Sequence, residues 1–371
     1  MKPLDSLRVA AGAAALLACL CVTPAQGQPA GALGDDFIHI VRQGDTLMSL
    51  TQAYVGDAAR WTAVQAHNGI DDPRRLPVAQ ELRIPLAMIP QAPAPARVSH
   101  LRGQVQLNSQ PLSAGAVVPE GGVITTAADG FATLSFIDGS QATIQPQSRV
   151  VLQRARRFQT VPLADSVLDV EQGEIEADVA PGGSGVGRFE VRAPVAVTGV
   201  RGTRLRVGVE QGVRSEVLRG SVRLQPHAPG AAPGGKPVLV AGGYGAAVSS
   251  SGDLLGVQRL LPAPQLGEPV RADGGWTVPF EPLQGAVGYV VRVSRDPEGM
   301  EVVFSARYAD TAVRFTAPAG RHYVTVRAID AAGLAGHDAA PKVFEGAAAV
   351  QTAFGLVVTT QWAGAVQLTS F

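Results

Sequence analysis

The feature that most constrains this chain is an alternation of apolar and polar residues that runs from Arg97 to Ser249. In the stretch "EIEADV", residues 174–179, each acidic residue is followed by an apolar one. This pattern is typical of strands that bury one face of a sheet and expose the other. The 43 glycines, the 27 prolines and an aromatic content of only 5% favour short strands and turns over packed helices. The sequence therefore predicts a mainly β body with Glu174, Glu176 and Asp178 on a solvent-exposed face.

A weak internal repeat places a glycine before an alternating strand three times in this region. The copies are "LRGQVQL" at 101–107, "EQGEIEA" at 171–177 and "LRGSVRL" at 218–224. A bend at each glycine is what stacked β-coils use, although the copies are unevenly spaced. We expect an elongated β-solenoid-like arrangement, with a β-sandwich as the alternative.

The first 27 residues have the pattern of a secretory signal peptide. Lys2 and Arg8 precede an apolar run at 9–22, and a small-residue site follows at 25–27. We expect an exported protein of the periplasm or cell envelope; an uncleaved anchor and lipidation at Cys19 stay open as alternatives. Cys19 and Cys21 both lie in this segment, so the remaining chain has no cysteine for a disulfide or a thiolate ligand.

Charge and composition divide the rest of the chain and limit its partners. The 31 basic and 31 acidic residues include no polybasic run, so we expect no nucleic-acid partner. No later segment has the length and apolarity of a transmembrane span, so we expect none in the mature chain. The Pro/Ala composition of one stretch and the lack of a pattern in a later one predict two linkers. The predicted units are residues 38–86, a Pro/Ala linker at 87–96, the β body at 97–249, a second linker at 250–265, a C-terminal unit at 266–345 and a strand-rich tail at 346–371.

The first unit predicts a small α+β fold with the order strand, helix, helix, strand. Leu47, Leu50 and Tyr54 fall on one face of a helix that begins within "VRQGDTLMSL", residues 41–50. Either Asp45 or Thr46 is expected to cap this helix. Trp61 on the second helix is expected in the core.

The order of G-D-T-L, W, N and L-x-I-P in residues 39–85 resembles the LysM module. This resemblance implies binding of glycans that contain N-acetylglucosamine, chiefly peptidoglycan, in a groove between the loop before the first helix and the loop after the second. The residues that it implies for glycan binding are Gly44, Asp45, Thr46, Leu47, Asn68, Gly69, Ile70, Leu76, Pro77 and Val78. Ala79 stands where the family usually has glycine, so a left-handed backbone there would be strained.

Residues 97–249 resemble the FecR domain through "FIDGS" at 136–140 and "EVRAPVAVTGVRGTRLRVGV" at 190–209. Founding members of that family cross the inner membrane and relay an iron-siderophore signal to a sigma factor. The resemblance implies an extracytoplasmic β domain, but the cytoplasmic segment and membrane helix of such a relay are not recognisable in this sequence. Arg204 and Arg206 are expected on the solvent-exposed face of their strand.

The C-terminal unit at 266–345 predicts a sandwich of short strands. It resembles fibronectin type III domains through Trp276 and the strands "GAVGYVVRV" and "YVTVRAIDAAG". His322 shares the alternation of Val324 and Val326 and Tyr323 falls on the other face, so the alternation does not predict that family's tyrosine-corner hydrogen bond. We expect the tail to add strands to the sandwich or to face a partner.

No catalytic constellation is recognisable. The six histidines are scattered through different units, without the spacing of a metal site. No cysteine remains for a Cys–His pair, and no G-x-S-x-G motif is present. We therefore expect no enzyme activity, no metal and no cofactor. The sequence favours a cell-envelope protein that binds peptidoglycan and presents its β domains as a scaffold or to another envelope protein. The alternatives are a FecR-like extracytoplasmic sensor and a peptidoglycan hydrolase with an unrecognised site.

Overall fold

The computed structural model describes residues 32–33, 35–181, 186–231, 236–272 and 275–346. The predicted signal peptide at 1–27, with both cysteines, and all of the predicted tail after its first residue lie outside these ranges. None of the helices in the described ranges is long and apolar enough to cross a membrane.

The N-terminal unit packs two helices against a three-stranded antiparallel sheet of order β1-β2-β3. Its elements are β1 Ala32–Leu33, β2 Asp36–Ile40, α1 Leu47–Val55, a 3₁₀ turn Ala58–Arg60, α2 Trp61–His67, β3 Glu81–Pro85 and a 3₁₀ turn Leu86–Met88. Leu47, Leu50 and Val64 on the helices meet Leu82 and Ile84 of β3 in the core. The predicted order of strand, helix, helix and strand is confirmed.

The middle of the chain forms one large sheet system. Its strands are β4 Gln91–Pro93, β5 Ala96–Arg102, β6 Val105–Leu107, β7 Gln110–Pro111, β8 Val117–Val118, β9 Val123–Thr126, β10 Phe131–Ser135, β11 Gln141–Ile144, β12 Arg149–Phe158, β13 Ala164–Asp178, β14 Val186–Ala193, β15 Ala196–Val209, β16 Gly212–Pro226, β17 Val238–Ala241, β18 Tyr244–Ser249 and β19 Leu254–Arg259. The predicted mainly β body is confirmed. In the part of the chain that the structure describes, these strands pair antiparallel except for β13 with β14, whereas stacked coils pair in parallel, so the solenoid-like arrangement is not confirmed.

The repeated glycines lie at bends, as predicted. Gly103, Gly173 and Gly220 have φ of 65°, 84° and 82°, a region that other residues rarely adopt. A Cβ atom on Gly173 would lie 2.1 Å from Ser148 Oγ. Up to Asp169, β13 pairs with β14, and up to Gln172 it pairs with β12. From Gly173 onward it pairs with β15, and from Ile175 it also pairs with β11. The glycine therefore lets one long strand serve two groups of neighbours.

Both segments predicted as linkers contribute strands instead. Within 87–96, β4 pairs with β12, and Pro93 is tolerated because β4 has no described neighbour on its other side. Within 250–265, β19 pairs with β18. Local composition and pattern describe an isolated segment, and they contain no information about the strands with which these segments pair.

The N-terminal unit is docked on the β body. Phe158, Val161 and Leu163 of the β body lie in the same core cluster as Leu47 and Leu82. An apolar core that two units share fixes their relative orientation.

The C-terminal unit is also mainly β. It contains β20 Val270–Ala272, β21 Gly275–Thr277, β22 Ala286–Ser294, β23 Val302–Tyr308, β24 Gly320–Asp330 and β25 Lys342–Gly346. β20 pairs with β21, and the other four strands form an antiparallel sheet of order β23-β22-β24-β25. His322 is buried in register with Val324 and Val326, as the alternation predicted. The finer resemblance to fibronectin type III stays a prediction.

The C-terminal unit covers part of the face of the β body that was predicted to be solvent-exposed, whereas Glu174 and Asp178 on that face stay partly exposed. Glu176 and Arg206 are both 0% exposed, and Arg204 is partly buried. The prediction for these side chains was wrong because the sequence of one strand does not reveal that another unit packs on its polar face.

Glu176 is the centre of the buried charges at this interface. Its Oε2 lies 2.6 Å from Arg292 Nη1 and 3.4 Å from Arg327 Nη1, and both arginines belong to the C-terminal unit. Its Oε1 accepts a hydrogen bond of 2.8 Å from Arg204 Nη2 of the β body. Burial alone would raise the pKa of Glu176, but the surrounding guanidiniums outweigh burial and hold that pKa well below its usual value.

Asp338 extends the network. Its carboxylate accepts a hydrogen bond from Arg206 and lies 3.6 Å from Arg327 Nη1. Arg206 Nη1 also donates to Gly336 O over 2.9 Å. Charged groups from both units therefore neutralise one another across the interface.

We expect Glu176→Gln to lower the free energy of unfolding by about 3 kcal/mol, because it leaves several buried guanidiniums without their shared carboxylate. The control is Glu171→Gln on the same strand, whose exposed pair with Arg149 is worth about 0–1 kcal/mol. Urea unfolding followed by tryptophan fluorescence measures both. Equal unfolding midpoints for the two variants would contradict a central role for Glu176.

Candidate functional site

The first wall of the candidate groove is the turn before α1. Gly44 has a φ of 91°, which suits glycine. Thr46 is the N-cap of α1: its Oγ1 accepts from the amide of Ser49 over 3.0 Å, while Ser49 Oγ accepts from the amide of Thr46 over 3.0 Å. Of the two residues that the sequence offered as caps, the structure selects Thr46.

Asp45 holds the turn together. Its Oδ2 accepts from the Arg42 amide over 2.7 Å and lies 2.8 Å from His39 Nε2. Although burial raises the pKa of Asp45, the hydrogen bonds from His39 and Arg42 outweigh it, and the net effect lowers that pKa. Asp45 therefore positions the backbone of the wall.

A chain of hydrogen bonds continues behind this wall. His39 Nδ1 lies 2.8 Å from Tyr54 Oη, so both ring nitrogens of His39 have partners. The His39 side chain is also buried. A buried imidazole with both nitrogens in use is suited to hold Asp45 in place and has no free nitrogen for a ligand.

The second wall follows α2. Asn68 Nδ2 donates to Val64 O and Arg83 O, and Asn68 Oδ1 accepts from the Arg83 amide, each over 2.7 Å. These bonds use the Asn68 side chain to attach the end of α2 to β3. Gly69 has a φ of 61°, and Gln65 Nε2 donates to Ile70 O over 2.7 Å.

Backbone hydrogen bonds bring the two walls together. The Ala79 amide donates to Val41 O over 2.8 Å, and the Val41 amide donates to Gln80 O over 2.9 Å. The loop that contains Leu76, Pro77 and Val78 therefore lies beside the end of the chain segment that leads into Gly44.

The candidate residues differ in how much side chain they present to solvent. Leu47 is 2% exposed and belongs to the core, and Ile70 and Leu76 pack against the same core. Val78 is 63% exposed, and Met48 on the first turn of α1 is 55% exposed. Met48 was not among the predicted glycan-binding residues, although its position directly after the buried Leu47 places it on the outer face of the helix.

Ala79 has a left-handed backbone with a φ of 70°. The backbone at Ala79 is therefore strained, as predicted for a left-handed conformation at this position, because a Cβ atom disfavours this conformation by roughly 1–2 kcal/mol.

Comparison with known proteins identifies two domains. The LysM domain model matches residues 39–85, and the FecR protein model matches residues 122–223. The chain therefore contains a LysM domain and a FecR domain. Both are binding or signalling domains, typical of envelope proteins, and neither is an enzyme family. No curated protein matches the chain.

Two solved structures show a distant likeness. Both are crystal structures of a candidate anti-sigma factor from Parabacteroides distasonis ATCC 8503, with sequence identities of 15% and 17% and TM-scores of 0.29 and 0.28. Each comparison covers 37% of this chain and 59% of the other.

We expect Ala79→Gly to raise the free energy of unfolding by roughly 0.5–1 kcal/mol, because relief of the left-handed strain exceeds the entropy that glycine adds to the unfolded chain. The same substitution at Ala63, an exposed site within α2, should cost about 1 kcal/mol. Urea unfolding curves of the two variants test this contrast. Destabilisation by Ala79→Gly would show that the backbone at this position is not strained.

Proposed function

We propose that this chain is a non-enzymatic cell-envelope protein that binds the N-acetylglucosamine glycan of peptidoglycan through its LysM domain. The observation that carries the proposal is the pair of backbone hydrogen bonds that joins Val41 to Ala79 and Gln80, because it sets the two loops side by side. Its ligand residues are Gly44, Asp45, Thr46, Leu47, Asn68, Gly69, Ile70, Leu76, Pro77 and Val78, together with Met48.

The start of α1 supplies hydrogen-bond donors for such a ligand. The capping box satisfies the amides of Thr46 and Ser49. Among the hydrogen bonds of the described residues, the amides of Leu47 and Met48 have no partner, as is usual in a first helical turn. These amides are suited to the carbonyl oxygen of an N-acetyl group or to a sugar hydroxyl. Leu47 thus contributes through its backbone while its side chain stays in the core.

Each wall also offers an exposed apolar side chain. Met48 and Val78 present exposed side chains, one from each wall. An acetyl methyl group placed between them removes apolar surface from water, which favours N-acetylated sugars over plain hexoses.

In this proposal the β domains form a body that the glycan-binding unit holds at the cell wall, where another envelope protein can bind them. The FecR match at 122–223 supports a second candidate function, extracytoplasmic signalling. A transcriptional response that is lost when the chain is deleted and retained when only glycan binding is abolished would favour signalling.

We expect Val78→Asp to weaken co-sedimentation with purified peptidoglycan by about tenfold or more, since a carboxylate replaces apolar contact at the rim. Ile137→Asp is the matched control: Ile137 is 62% exposed, close to the 63% of Val78, and lies in the β body. Chito-oligosaccharides should compete for binding to the wild-type chain. Equal sedimentation of both variants would contradict the proposed groove.

A further inference from the structure

A free sheet edge of the C-terminal unit faces the β body. In the described part of the chain, β23 pairs only with β22, so one side of β23 keeps unpaired backbone groups. Ser305, Ala306 and Arg307 of this strand line a cleft of about 740 Å³ between the two units. Such a volume is typical of ligand sites.

The β body covers only the beginning of this strand. His100 Nε2 donates to Val302 O over 3.1 Å, and Thr133 Oγ1 donates to Met300 O over 2.8 Å. These bonds show that the backbone at the start of β23 already takes hydrogen bonds from the β body. From Ser305 onward the strand lines the open cleft instead.

The opposite wall of the cleft is rich in amide side chains. Gln147 and Gln172 line it and are exposed. Each primary amide both donates and accepts hydrogen bonds, as does a peptide backbone. Gln147 also has a φ of 54°, a costly backbone conformation of the kind that clusters at ligand sites. A strand between β23 and this wall would find hydrogen-bond partners on both of its edges.

One end of the cleft places two guanidiniums beside one carboxylate. Arg214 Nη2 lies 3.3 Å and Arg307 Nη2 lies 3.2 Å from the same oxygen, Glu210 Oε1. Two guanidiniums thus share one carboxylate, and Arg307 remains half exposed. The acidic residues of the other wall are matched, because Glu171 pairs with Arg149 and Glu174 pairs with Arg327.

We propose that this cleft binds an extended peptide segment of a partner protein, which adds as a strand to the free edge of β23 and places an acidic side chain beside Arg307. The backbone hydrogen bonds of strand addition supply affinity, and the half-exposed guanidinium of Arg307, which shares the Glu210 carboxylate with Arg214, supplies charge selectivity. The cleft lies outside the LysM domain, so peptide binding at this site does not depend on glycan binding.

The test uses the full chain and a fluorescein-labelled heptapeptide, Thr-Val-Glu-Val-Glu-Val-Thr, with binding followed by fluorescence anisotropy. Two further peptides carry N-methyl groups on alternate residues, one in each register, so that one of them removes the amides that bond to β23. We expect saturable binding of the parent peptide, and at least a tenfold loss for one N-methylated form. A peptide with Lys in place of Glu should bind at least tenfold more weakly.

The protein variants separate the cleft from general charge effects. Arg307→Glu should weaken binding about tenfold, whereas Arg321→Glu, at an exposed site of the same unit outside the cleft, should leave it unchanged. Hydrogen exchange should slow at the β23 amides upon binding and stay unchanged at β25, the other edge of the sheet. Three results would each overturn the proposal. They are absence of binding up to about 1 mM peptide, binding of both N-methylated peptides as tight as that of the parent peptide, and unchanged peptide affinity in the Arg307→Glu variant.

Discussion

The arrangement of the β body and the C-terminal unit depends on the ion pairs that the Glu176 carboxylate makes. This carboxylate is surrounded by guanidiniums from both units, and each is held at a defined distance. Buried ion pairs add little net stability compared with apolar packing, but they penalise every arrangement that leaves one charge unpaired. The network therefore selects one docking geometry. The cleft beside β23 exists only in that geometry, because its two walls come from different units.

Much of the fold follows from local pattern, and the errors have a common cause. Alternation predicted the strands, and the repeated glycines predicted bends such as the one at Gly173. Alternation also gives every strand a polar face, yet it contains no information about what packs on that face. For this reason Glu176 and Arg206 were predicted to be solvent-exposed, although both are buried. The Pro/Ala segment at 87–96 was predicted to be a spacer, although β12 pairs with part of it. Each error concerns a contact between residues that are far apart in sequence.

The same distinction holds for the candidate groove. The capping position could be narrowed to Asp45 or Thr46 from sequence because a capping box spans only four residues. Helical spacing would have been enough to place Met48 on the outer face of α1. The hydrogen bond between His39 and Tyr54 was not predictable, since it joins two elements that meet only in the folded unit. The sequence predicted strain at Ala79 only if its backbone were left-handed, and the structure shows that it is.

The core that the LysM domain shares with Phe158, Val161 and Leu163 has a mechanical consequence. A binding module on a flexible linker lets its cargo explore a volume set by the length of that linker. Here the module and the β body rotate together as one piece. If the groove holds a glycan strand, the direction of that strand also fixes the direction in which the β body points. The distance between the cell wall and a partner bound to the β body would then be set by the folded protein.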